Sequence, residues 1–167
     1  MNRVKLIARM APLLLLVAAF DPLTIVKTSS VVSDPQGNLL PKRVPGSFVD
    51  YTTTISNPNG VLTTVNGVVF SDPIPANTAL RVSNIELLVA GPVDFLPGLS
   101  LLSYSFTSLG STTDRIDFSS DNGATWTYTP VADANGCDTR VTNIRVRLGG
   151  NQVAGTSFSI RFRVRVK

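Results

Sequence analysis

Ser157-Phe158-Ser159-Ile160-Arg161-Phe162-Arg163-Val164-Arg165-Val166-Lys167 closes the chain, and it alternates without a slip. A period of two is the signature of a strand with one face against a core. Phe158, Ile160, Phe162, Val164 and Val166 fall on one face. Ser157, Ser159, Arg161, Arg163, Arg165 and Lys167 fall on the other. Phe162 is therefore expected to face the core, and Phe162→Ala to cost about 3–5 kcal/mol. Arg163→Ala, on the outward face, is expected to stay within about 0.5 kcal/mol of wild type. Upstream, Ile144, Val146 and Leu148 alternate with Arg145 and Arg147. The glycine-rich connection between the two runs is short enough for an antiparallel hairpin. Such pairing would gather Arg145, Arg147, Arg161, Arg163, Arg165 and Lys167 on one outer face, a candidate surface for an anionic partner such as an acidic glycan. The plainer alternative is a solvated sheet face whose charges discourage sticking.

The same grammar runs through most of the chain. Short apolar runs rich in Val and Thr are separated by Gly, Pro, Asn and Asp, which predicts an all-β sandwich. Strands are expected at about 23–32, 47–57, 61–71, 79–89, 100–108, 114–119, 124–129, 139–149 and 156–167. Val49, Tyr51, Thr53 and Ile55 share one face, with Asp50, Thr52 and Thr54 opposite. Asp121-Asn122-Gly123 tolerates positive φ and predicts a hairpin turn, with Trp126 and Tyr128 on the return strand. Asp72-Pro73-Ile74-Pro75 ends a strand, because proline has no N–H for a ladder. Leu23, Ile25 and Val26 break the alternation at the start. A strand apolar on both faces expects cover on both sides, so these residues mark a candidate assembly strand, the plainer alternative being a first strand that completes its own sandwich.

Residues 1–19 have the order of a secretory signal. Arg3, Lys5 and Arg9 precede an apolar run through Leu13-Leu14-Leu15-Leu16, and Val17-Ala18-Ala19 supplies small residues for cleavage. A retained membrane anchor is the alternative, but the run is about half of the ~20 residues that a spanning helix needs. Cleavage takes three bases and no acid from the 15 Lys+Arg and 11 Asp+Glu, leaving 12 against 11. Net charge then gives no support for nucleic-acid binding. The remaining residues, 20–167, suit one sandwich-sized domain.

The chain has no histidine, one cysteine and one glutamate, Glu86. That excludes a Ser-His-Asp triad, a histidine-ligated metal, an intrachain disulfide and a cysteine zinc site. No carboxylate pair has the spacing of a glycosidase. No catalytic, cofactor-binding or metal residues are assigned, and the chain is expected to be non-enzymatic. Residues 133–138 gather Asp133, Asn135 and Asp138 around Gly136, which suits a polar turn better than a calcium loop, since the EF-hand spacing and its closing Glu are absent. Cys137 is either buried and inert or pairs between chains.

Three stretches resemble the bacterial surface-protein "conserved repeat domain", a family of unknown function. They are Pro45-Gly46-Ser47-Phe48-Val49-Asp50-Tyr51-Thr52 into Ile55-Ser56-Asn57, then Val68 to Thr78 through Asp72-Pro73-Ile74-Pro75, then Gly155 to Val166. The resemblance implies an immunoglobulin-like antiparallel β-sandwich in an exported protein. This chain carries one copy and no evident wall-anchor signal, which favours a small secreted subunit over a stalk. The expected function is an exported structural module of the bacterial cell surface or extracellular matrix, in the periplasm, on the surface or outside the cell. Its expected partners are further copies, as homo-oligomer or filament, or other envelope proteins. The alternative is a carbohydrate- or ligand-binding module using Trp126, Tyr128 and the basic face. Mass spectrometry of secreted protein is expected to find a chain beginning at Phe20, and an intact Met1 in extracellular material would overturn the export assignment.

Overall fold

The structure, a computed structural model, describes residues 21–60 and 63–167, so the expected signal segment 1–19 lies outside the described residues. Those residues contain no helix. The strands are β1 (Thr24–Ser33), β2 (Phe48–Ser56), β3 (Val65–Asn66), β4 (Val69–Pro73), β5 (Thr78–Arg81) and β6 (Val93–Leu96), followed by β7 (Leu102–Ser103), β8 (Ile116–Ser119), β9 (Cys137–Asp138), β10 (Asn143–Arg147), β11 (Gly149–Gln152) and β12 (Ser157–Val166).

The first sheet has the order β1-β2-β12-β5-β9, with β6 also paired to β12. A second sheet is β4-β10-β8, and a small third one is β3-β11-β7. All pairings are antiparallel. The longest β12 ladder is with β2, from Ser157 opposite Ser56 to Arg165 opposite Phe48. On its other edge, β6 pairs with Ser159–Phe162 and β5 with Val164–Val166, end to end.

The register explains the core. Phe158 lies opposite Ile55, Phe162 opposite Tyr51 and Val164 opposite Val49, so their side chains emerge on one face. In the second sheet Ile144 sits between Asp72 and Phe118, and Val146 between Phe70 and Ile116. These inner faces meet in one cluster that includes fully buried Phe162, Ile160, Val164, Ile144 and Val146. The result is an all-β, sandwich-like arrangement. Burying a side chain such as Phe162 contributes about 1.5–3 kcal/mol.

The expected hairpin between 144–148 and 157–167 does not form. Both edges of β10 are occupied by β4 and β8, and both edges of β12 by β2 and by β5 with β6. The chain leaves β10 through Gly149 and Gly150, the latter at φ 81°, and lays β11 between β3 and β7 before returning as β12. Other expected strands are shorter. The run at 79–89 stops at Arg81, because Asn84 accepts the Gly91 amide and turns the segment back. The Asp121-Asn122-Gly123 turn forms, with Asn122 at φ 59° and Gly123 at φ 84°. Its return segment is not a strand: Asp121 accepts both the amide and the hydroxyl of Thr125, and only the Tyr128 amide reaches back to Phe118.

Candidate functional site

The six basic residues expected on one face are divided between two sheets, Arg145 and Arg147 on β10 and the others on or just after β12. The outward face of β12 is also partly covered. Arg163 is only 8% exposed. Its Nε donates to Asp50 Oδ1 at 2.5 Å and its Nη2 to Asp50 Oδ2 at 2.9 Å, a two-pronged pair. Nη1 donates to the Ile85 carbonyl at 2.8 Å, and Nη2 also reaches Glu86 at 2.8 Å. Arg161 bridges Asp50 at 2.9 Å and Asp94 at 2.8 Å. Two guanidiniums thus meet three carboxylates, Asp50, Glu86 and Asp94, with no positive charge to spare. The Asp50 hydrogen bonds, chiefly, hold Arg163 above the ordinary arginine range. For Arg161, burial opposes the charge, and its bonds to Asp94 and Asp50 outweigh it. Arg165 is half-buried, and Lys167 is exposed at the chain end with its amide bonded to Asn77.

On the second sheet, Arg145 and Arg147 both grip Asp117, at 2.9 and 2.8 Å. Arg145 also stacks over Trp126, 4.6 Å from the ring centre, and Arg140 lies over Tyr128 at 5.2 Å. The Tyr128 hydroxyl donates to Asp138 at 2.6 Å. Both aromatics considered for sugar stacking therefore already carry an arginine on one face, and they do not lie on a common strand.

The carboxylates of the 133–138 loop are taken up by protein donors, Asp133 within the loop and Asp138 outside it. Asp133 Oδ1 accepts the amides of Asn135 and Cys137, both at 2.8 Å. The Cys137 amide, first among several groups, holds Asp133 below the ordinary carboxylate range. Asp138 accepts from Tyr128, Val131 and Arg140. Among the described residues no group of three or more His, Cys, Asp or Glu side chains could hold a metal ion. Cys137 is fully buried, and burial pushes its thiol up to about 11.

A long open edge of the first sheet lies at β1. This ten-residue strand is held on one side by β2 and, among the described residues, pairs with nothing on the other. Ile25 and Val26, which point to opposite faces, are 67% and 61% exposed. Leu23, Ile25 and Lys27 face inward across a cleft of about 290 Å³, walled on the far side by Val68, Phe70 and Asp72 of the second sheet's edge. Lys27 Nζ crosses it to Asp72 Oδ1 at 2.6 Å and lies 5.3 Å from the Tyr51 ring centre. Thr53 Oγ1 and Asp72 Oδ2, both on the cleft wall, are buried without a hydrogen-bond partner.

Sequence reasoning named Leu23, Ile25 and Val26 but missed Lys27 and Asp72, although Lys27 continues the odd-numbered inward face. It missed Asp50 as the partner of Arg163. The outward position of Asp50 was legible, but its neighbour depended on knowing that β2 lies beside β12.

Because Arg163→Ala would leave Asp50 buried without its main partner, it is expected to cost about 3–5 kcal/mol in urea unfolding. That is comparable with the about 3–5 kcal/mol expected for Phe162→Ala, and it replaces the near-zero cost that outward alternation alone implies. A loss for Arg163→Ala within about 0.5 kcal/mol, the ordinary range for a free surface position, would contradict the buried pairing. No protein-family model, curated protein or solved structure matches the chain, so its functional assignment rests on this geometry.

Proposed function

We propose that the chain is an exported, non-enzymatic structural module of the bacterial cell surface or extracellular matrix, an immunoglobulin-like sandwich that acts by assembling with further copies. The observation that carries this is β1, ten residues long, exposed on both faces and without a neighbour on its outer side among the described residues. An edge strand presents a row of unpaired amide and carbonyl groups, which is a template for another strand. Proteins that stay monomeric blunt such edges with proline, charge, bulges or cover. β1 has no proline and a single charged residue, Lys27, which is drawn inward to Asp72. Its one bulge falls at the far end, between Val31 and Ser33.

The composition supports the same reading. Without histidine, and with the carboxylates near β12 committed to arginines, little is left to run acid–base chemistry. Four of the six basic residues considered for an anionic ligand are held in ion pairs, Arg161 and Arg163 against three carboxylates and Arg145 and Arg147 against Asp117.

Sedimentation velocity on residues 20–167 over a hundredfold range of concentration tests this. Larger species that grow with concentration, without added ligand, are expected. A strict monomer throughout that binds acidic polysaccharide would overturn the proposal in favour of a ligand-binding module.

A further inference from the structure

We infer that the first contact in assembly is a two-fold pairing of β1 with β1 of a second copy, antiparallel and centred on Thr28. The inference rests on the self-association reading and specifies its surface, partner and register.

Three features of β1 fix the geometry. The first is length. β1 runs regularly against β2 from Thr24 opposite Ser56 to Val31 opposite Val49, and the register then shifts before Ser33. A bulge bends the strand and ends regular pairing on its free side as well. The usable edge is therefore Thr24 to Val31.

The second is facing. Odd-numbered residues of β1 point into the cleft and even-numbered ones point out, since Ile25 lies opposite Ile55 and Lys27 opposite Thr53 on the inner face. Directly opposed residues of an antiparallel pair share a face. Continuing the sheet into a second copy therefore requires odd opposite odd and even opposite even. Within Thr24–Val31 two self-pairings of seven residues obey this, Ile25 to Val31 about Thr28 and Thr24 to Ser30 about Lys27.

The third is side-chain chemistry. Centring on Thr28 sets Ile25 against the second copy's Val31, Lys27 against its Ser29, Val26 against its Ser30, and Thr28 against Thr28. Shifting the axis to Lys27 would set the two Lys27 side chains directly opposite each other and Ile25 against Ser29, which loses the apolar pair. Shifting it to Ser29 would oppose Ile25 with Ser33, beyond the bulge. Of the two seven-residue registers, the one about Thr28 gives the apolar pair at the mouth of the cleft and sets Lys27 opposite Ser29, whose hydroxyl accepts from Arg43 at 2.8 Å. Lys27 does not bar the approach, because its ammonium is turned away from the edge and held by Asp72.

The pairing would join two sheets into one and cover Ile25 on both copies, along with part of each cleft. A two-fold contact of this kind closes on itself. By itself the contact gives a dimer, and a filament would need a second surface.

Cysteine scanning along the exposed strand tests the register. Opposed Cβ atoms in an antiparallel pair stand about 4.5–5.5 Å apart, near the span of a disulfide. Cys137 is buried, so the native thiol gives little background. Residues 20–167 carrying Thr28→Cys, oxidised with copper phenanthroline at an associating concentration, are expected to cross-link to a dimer. Val26→Cys and Ser30→Cys are expected to stay uncross-linked when each is alone and to cross-link when mixed. A second variant, Thr28→Lys, opposes two charges on the axis and is expected to weaken association about tenfold with thermal stability of the monomer unchanged. Association that persists while Thr28→Cys fails to cross-link, or while Val26→Cys or Ser30→Cys links to itself equally well, overturns this pairing and leaves self-assembly standing. A chain that never associates overturns both.

Discussion

The ladder between β2 and β12 is the constraint from which the rest of the architecture follows. It joins residues about a hundred positions apart in sequence, and every inner-facing pair along it feeds the core. Because the side-chain period is two, one register places Phe162 inside and Arg163 outside at once. A slip by one residue would bury the arginines and expose the phenylalanines. The bidentate contact between Arg163 and Asp50 strengthens this choice, since it forms only when Arg163 lies opposite Asp50. The same ladder also leaves β1 outermost: with one side of β2 given to β12, only its other side remains for β1.

Charge is spent mostly on internal order. The arginines of β12 stitch the outer face of one sheet to the 84–94 segment through Glu86, Asp94 and the Ile85 carbonyl. Those of β10 are tied to Asp117. Lys27 and Asp72 link the two sheets across the side where no strand closes the cleft. Such a bridge, with its lysine partly exposed, adds modest stability of its own. Its consequence is geometric: it keeps a charge off the edge of β1 and holds that edge against the second sheet.

The sequence made the faces of individual strands legible and left their neighbours obscure. Ser157 to Lys167 declared both its strand and its core face, since alternation is local information. Neighbourhood is not. Two adjacent alternating runs favoured a hairpin, yet β10 and β12 belong to different sheets, because β11 fits between them and better partners fill every edge. Likewise, nothing in the period of β12 encodes the segment that folds over Arg163 and turns an outward residue into a buried one. At the start of the chain's first strand, the order of Leu23, Ile25 and Val26 put apolar residues on both faces, and the structure leaves Ile25 and Val26 exposed. A strand with apolar residues on both faces expects cover, and here both of the exposed ones lack it.

Among the described residues, β1 is thus a long sheet edge, ten residues, left without a neighbour on its outer side. Hydrogen exchange resolves that edge residue by residue. In an antiparallel pair, alternate amides of β1 bond to β2, and the others point to the free side. The β2-bonded set between Ile25 and Val31 should be protected in dilute and concentrated protein alike. The outward set should exchange fast when dilute and become protected as concentration rises. Fast exchange of the outward set within the fully associated protein would show that assembly proceeds through some other surface.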